Sequence, residues 1–243
     1  MNELNVGFFD SGLGGLTAVS ALRKLLPNEN IAYFGDTARC PYGTRTVSEL
    51  RRMALENLEF LRSKGVKAIL AACGTMSANC KDILDGFDIK VVNVLEASAD
   101  AMNALQGSKA VIATDASIAS GSYQKAIDGC IGVPTQDFVR IVETGHTALH
   151  DEQLQTDIEK YLEPIRNIDN LLLGCTHFGI IQEAIQYYMP NTNILTASEC
   201  AAARMAEYLT DNDLMGSEQR LELYTSGDEK EFLKNAEVIL NAT

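Results

Sequence analysis

Apolar residues cluster along the chain in short runs at 5–9, 31–35, 66–72, 89–95, 109–114, 170–174, 193–197 and 221–225. Runs this short, apolar nearly throughout and bounded by polar turns, read as strands buried on both faces, the habit of parallel sheets. Between them lie amphipathic stretches with apolar positions at helical spacing. Residues 47–62 form one, stopping at Gly65, and 121–127, 153–165, 180–188, 199–209 and 229–240 read likewise as helices. Strands alternating with helices predict an α/β protein with largely parallel sheets.

One pattern recurs. KAILAACGT, ending at Thr75, and NLLLGCTH, ending at His177, each run an apolar strand into a cysteine with a threonine nearby, then into a helix. They stand about 100 residues apart, close to a typical domain length. The spacing predicts two similar doubly wound lobes facing each other across a cleft. No Pro/Gly/Ser-rich linker marks where one lobe ends.

Composition narrows the functional classes. With 46% hydrophobic residues in 243, the chain can bury a full core. Its net charge of −13, from 33 acidic and 20 basic side chains without an acidic tail or basic block, repels phosphate backbones and disfavours nucleic acid as a partner. No stretch of about 18 apolar residues and no basic, apolar leader are present, so neither a membrane nor secretion is expected and the cytoplasm is. Six cysteines (40, 73, 80, 130, 175 and 200) form no CxxC pair and suit free thiols in a reducing compartment. Cys40, Cys80, Cys130 and Cys200 read as small buried hydrophobes.

Cys73 and Cys175 stand apart because each is expected at the carboxyl end of a strand and the start of a helix, where α/β sheets form ligand crevices. Helix-start N–H groups favour thiolate over thiol and also bind carboxylates. A thiol and a thiolate on opposite faces of an α-carbon suit stereochemical inversion: one removes a proton and the other returns one. Taken singly, each cysteine suits buried filler as well as catalysis; the matched settings favour catalysis.

Six segments carry a family resemblance: FFDSGLGGLTAV at 8–19, YFGDTARCPYGTR at 33–45, AACGTMSA at 71–78, SGSYQ at 120–124, VETG at 142–145 and LLGCTH at 172–177. In this order they resemble the glutamate racemases, a family of cofactor-independent Asp/Glu racemases. The resemblance implies a first lobe of residues 1–95 completed by 199–243, a second lobe of 96–198, and an active site between them. It implies Cys73 and Cys175 as the catalytic pair, assisted by Asp10, Glu143 and His177. Asp10, Ser11, Tyr42, Gly43, Gly74, Thr75, Ser117, Thr176 and His177 match substrate contacts. It further implies an amino acid as partner, no cofactor, and D-glutamate supply for bacterial peptidoglycan; a homodimer stays open. Read on their own, Asp10 and Ser11 equally suit a helix cap, and Tyr42 and Gly43 a turn after Pro41.

The chain departs from the family pattern at several points. Gly74 stands where the family has asparagine, which removes a side-chain amide and is expected to free space for a water or a larger substrate. Ala97 after Glu96, Ser117 for threonine, and Phe178–Gly179 for tyrosine and proline are expected near site loops. Related racemases, isomerases or decarboxylases acting on aspartate or another small carboxylate, and a non-catalytic amino-acid-binding protein, are the alternatives. GLGG at 12–15 lacks the GxGxxG spacing of a dinucleotide site, and no Walker lysine is present. His146 and His150 are spaced for one helix face but fail HExxH, and read as surface residues; no metal is expected.

Overall fold

A computed structural model describes residues 3–242, apart from the side chains of Glu143, Asn241 and Ala242. Among these residues the strands are β1 (Asn5–Asp10), β2 (Ile31–Gly35), β3 (Val66–Ala71), β4 (Val91–Asn93), β5 (Lys109–Ala113), β6 (Cys130–Pro134), β7 (Asn170–Leu173), β8 (Asn193–Thr196) and β9 (Leu221–Thr225). They form two sheets, ordered β4-β3-β1-β2-β9 and β6-β5-β7-β8, with every pairing parallel. The fold is α/β, as the hydrophobic pattern predicts.

The first four strands and the next four have the same topology. Read from the outer edge, β4-β3-β1-β2 and β8-β7-β5-β6 place third beside first and second on the far side. The echo in the sequence is thus a structural repeat, with β3 equivalent to β7. β9 is the addition: it pairs with β2 from Ile31↔Leu221 to Gly35↔Thr225 and extends the first sheet.

Helices cover both sheets, as parallel strands require. Helix Val47–Ser63 opens with a reciprocal cap in which Glu49 N–H donates to the Thr46 hydroxyl and Thr46 N–H to the Glu49 carboxylate. Helices Leu16–Leu25, Val94–Asn103 and Ala197–Asp211 bury Leu22, Met102 and Met205 in a cluster that also holds Phe8 and Leu70 of the first sheet and Val111 and Leu172 of the second. The lobes therefore share one apolar core at their junction, while each keeps a further cluster on its outer side. No helix among the described residues is long and apolar enough to cross a membrane.

Two strands differ from the hydrophobic pattern. The run at 89–95 yields only the short β4, because the Asn93 side chain accepts the Leu95 N–H at 2.9 Å and starts a helix at Val94. β6 lies outside the runs that predict strands. It is a partly exposed edge strand whose five residues include Gly132 and Pro134, which count against a strand in the sequence.

Candidate active site

In each sheet the strand order reverses between the first and third strands, and a crevice opens beyond their carboxyl ends. Asp10 ends β1 and Ser11 follows it; Cys73 lies beyond β3; Thr114 follows β5; Gly174 and Cys175 follow β7. The two crevices face each other and merge into one pocket of ≈ 20 Å³. Asp10, Ser11, Tyr42, Gly43, Cys73, Gly74, Thr75, Ser117, Cys175, Thr176 and His177 all line it. Glu143 is the last residue of helix Asp137–Glu143, and its side chain lies outside the described residues.

Each cysteine immediately precedes a helical segment, Gly74–Asn79 for Cys73 and the 3-10 helix Thr176–Ile181 for Cys175. Around Cys73 the balance of forces differs from expectation. Burial pushes its thiol well above the ordinary range and the Asp10 charge pushes the same way, outweighing the Met76 and Thr75 N–H groups at the helix start. Burial therefore favours the thiol over the thiolate at Cys73. Cys175 is less buried, and its Sγ lies 3.7 Å from His177 Nδ1.

Asp10 does not cap the helix that follows it. One carboxylate oxygen accepts the Gly15 N–H at 3.0 Å and the Gly12 N–H at 3.4 Å, bracing the glycine turn; the other is buried with no hydrogen-bond partner. Burial raises its pKa, against the opposing pull of His177. A buried, unpartnered acceptor beside two thiols is suited to a cationic ammonium group or to a proton.

Hydroxyls bridge the lobes. Thr75 Oγ1 lies 3.0 Å from Thr114 Oγ1, which lies 2.8 Å from Ser117 Oγ, all three buried. Thr114 and Gln136 line the pocket but were not anticipated; the strand-end position of Thr114, equivalent to that of Asp10 and the cysteines, was the available signal. Cys40, read as filler, also lines the wall, whereas burial pushes Cys80, Cys130 and Cys200 up to about 11, away from the pocket. The Tyr42 hydroxyl donates to buried Asp36 and accepts from Asn57 Nδ2 at 2.9 Å, which seats the Tyr42–Gly43 wall firmly.

A family model of Asp/Glu/Hydantoin racemases matches residues 17–205. The chain belongs to this racemase family. It is 34% identical to a glutamate racemase of Oceanobacillus iheyensis, over 98% of this chain and 92% of that protein. Among solved structures, the glutamate racemase of Thermus thermophilus in complex with β-chloro-D-alanine superposes with a TM-score of 0.90 at 35% identity, covering 98% of this chain and 93% of that one. The Francisella tularensis glutamate racemase in complex with D-glutamate gives 0.90 at 33%, covering 99% and 95%. The chain is an amino-acid racemase.

Against that family pattern, Gly74 behaves differently from expectation. A Cβ there would lie 2.5 Å from the Gly174 carbonyl oxygen, so the missing side chain leaves no free space; the opposite lobe occupies it. The glycine turn has a similar cause, since a Cβ on Gly14 would lie 2.5 Å from Thr176 Oγ1. Close approach of this racemase's second lobe accounts for that glycine without a nucleotide. Glu96 and Ala97 sit on helix Val94–Asn103 and Phe178 packs edge-on to Phe138 at 5.5 Å; none of the three lines the pocket. His146 and His150 are exposed and lie outside any helix, His146 Nδ1 standing 2.9 Å from Asp151.

Proposed function

We propose that this racemase interconverts L- and D-glutamate by two-base proton transfer between Cys73 and Cys175. The observation that carries the reading is the placement of the two thiols at equivalent strand ends of a repeated topology, in one narrow pocket rimmed with hydroxyls. A thiolate takes the α-proton and becomes a thiol; the opposite thiol gives its proton to the other face of the carbanion and becomes a thiolate. The products are the inverted amino acid and an enzyme with its protonation states exchanged, ready for the reverse reaction. No net proton is consumed.

Asp10, Glu143 and His177 assist in this scheme. The unpartnered oxygen of Asp10 suits the substrate ammonium, and His177 beside Cys175 suits retention or release of that thiol's proton. Ser11, Thr75, Ser117 and Thr176, with the backbone at Tyr42, Gly43 and Gly74, suit the carboxylates. Excluding water strengthens these dipoles where carbanion charge develops. The biological role that follows is supply of D-glutamate for bacterial peptidoglycan, in the cytoplasm.

Incubation with each enantiomer of glutamate and of aspartate in heavy water, followed by optical rotation and α-proton loss, tests the reading. Inversion of glutamate with solvent deuterium incorporated at the α-carbon is expected. Cys73→Ser and Cys175→Ser are each expected to lower inversion by about 10²–10⁴-fold, the usual worth of a general acid or base. Normal racemisation by both variants would remove the thiols from the mechanism, and inversion of aspartate alone would reassign the substrate.

A further inference from the structure

Gly74 follows Cys73 and Gly174 precedes Cys175, and the two glycines meet across the cleft. The meeting is backbone to backbone. The Gly174 carbonyl comes so close that a Cβ on residue 74 would stand 2.5 Å from it and 3.3 Å from the Tyr123 hydroxyl. Such a distance forces one side to move, because real Cβ contacts do not fall below 3.0 Å.

The Gly174 side is held on three counts. Its N–H donates to the Ile112 carbonyl at 2.8 Å, its own carbonyl accepts the Tyr123 hydroxyl at 3.0 Å, and Tyr123 is fully buried. Added bulk on Gly174 itself would meet Val111 Cγ2 at 2.9 Å and the Ile112 carbonyl at 3.0 Å. On the other side, Ala72 N–H donates to Phe9 at 3.0 Å and Ser77 N–H to the Cys73 carbonyl at 2.9 Å. Neither backbone has slack near the contact.

We infer that Gly74 and Gly174, braced by Tyr123, form a spacer that fixes the separation of the Cys73 and Cys175 thiols in the closed cleft. These are positioning residues: they set where the reacting groups stand. The inference rests on the two-thiol reading above. Two-base inversion is sensitive to this separation, since both sulfurs must reach one α-carbon from opposite faces, and misplacement by an ångström costs about a hundredfold. Whichever side yields to a Cβ at position 74, a cysteine moves, because each is one residue from the contact. Here the gap is set by backbone against backbone.

The test is Gly74→Ala, with Tyr123→Phe as the gentler variant that removes only the brace. Both are compared with the unaltered protein for inversion rate, for α-proton exchange with retained configuration in heavy water, and for Tm. With the thiols further apart, one thiolate still removes the proton, but return from the opposite face fails more often. Gly74→Ala is therefore expected to lower inversion at least tenfold while raising the ratio of exchange-with-retention to inversion, and Tyr123→Phe to shift that ratio the same way by a smaller factor. An unchanged ratio in a folded Gly74→Ala protein, whether its rates are normal or fall together, overturns the spacer. If Gly74→Ala does not fold, an unchanged ratio in Tyr123→Phe overturns it. Absence of inversion by the unaltered protein overturns the two-thiol reading and the spacer with it, which keeps the two failures distinct.

Discussion

At the scale of single residues, the site holds groups in states that folding alone would not choose. Asp10 is buried, its pKa is raised by that burial, and one of its oxygens has no partner. A carboxyl whose folded pKa is raised contributes stability that is complete below its ordinary value near 3.8 and is lost as pH rises through the higher folded value. Asp10→Asn is accordingly expected to raise Tm at neutral pH by roughly 2–4 °C, equivalent to about 1 kcal/mol in a chain of this size, with the gain shrinking below pH 4. Turnover is expected to fall by about a hundredfold in the same protein. Calorimetry across pH beside the racemisation assay checks both, and a variant that is less stable at neutral pH would show that the carboxylate is structural. Cys73 and Cys175 stand out in the sequence because strand-end position and residue chemistry are local, whereas Asp10 enters only through the family resemblance. The occupant of the space beside Gly74 was not, because Gly174 and Tyr123 arrive from the other lobe.

At the scale of elements, the loop after β2 shows why the pocket wall is stiff. The Asp36 carboxylate accepts from Arg39 Nε at 2.7 Å, from Ser226 Oγ at 2.7 Å and from the Tyr42 hydroxyl, so one buried side chain ties the wall to the segment after β9. Hydrogen bonds to a buried charge are worth about 1.5–3 kcal/mol each, and their loss is partly offset by water entering. Asp36→Ala is expected to cost about 3 kcal/mol in urea unfolding and to raise KM for the amino acid, since Tyr42 and Gly43 lose their support. A variant with unaltered KM would detach the wall from substrate binding. The aspartate is plain in the sequence, yet nothing local predicts a partner 190 residues away. Strands are legible for the converse reason: eight are announced by their own short runs, and β6 is masked by Gly132 and Pro134 within its five residues.

At the scale of the whole molecule, the pocket and the shared core impose opposite requirements. A cavity of ≈ 20 Å³ holds about one water, so admitting an amino acid requires its walls to move. The apolar cluster common to both sheets resists their wide separation. Small-angle scattering is expected to show a more compact particle with substrate than without it; an identical profile would place entry in local loop motion instead. The first lobe carries its own clamp. Lys67 and Glu29, with side chains 2% and 0% exposed, pair at 2.6 Å, and Glu29 also accepts the Gly216 N–H at 2.8 Å. Lys67→Met is expected to destabilise the protein by about 3–5 kcal/mol, because it strands a buried carboxylate. Chemical denaturation reads this directly, and a loss below 1 kcal/mol would mean that water reaches Glu29.

The edge position of β9 bears on the order in which the molecule is made. The second sheet, β5 to β8, is complete once residue 196 has been synthesised, whereas the first sheet waits for residues 221–225 to join β2. Until then β2 presents a bare edge, with the backbone of Ile31–Gly35 open to any extended chain. A nascent chain therefore holds every strand of the later sheet before the earlier sheet receives its last one.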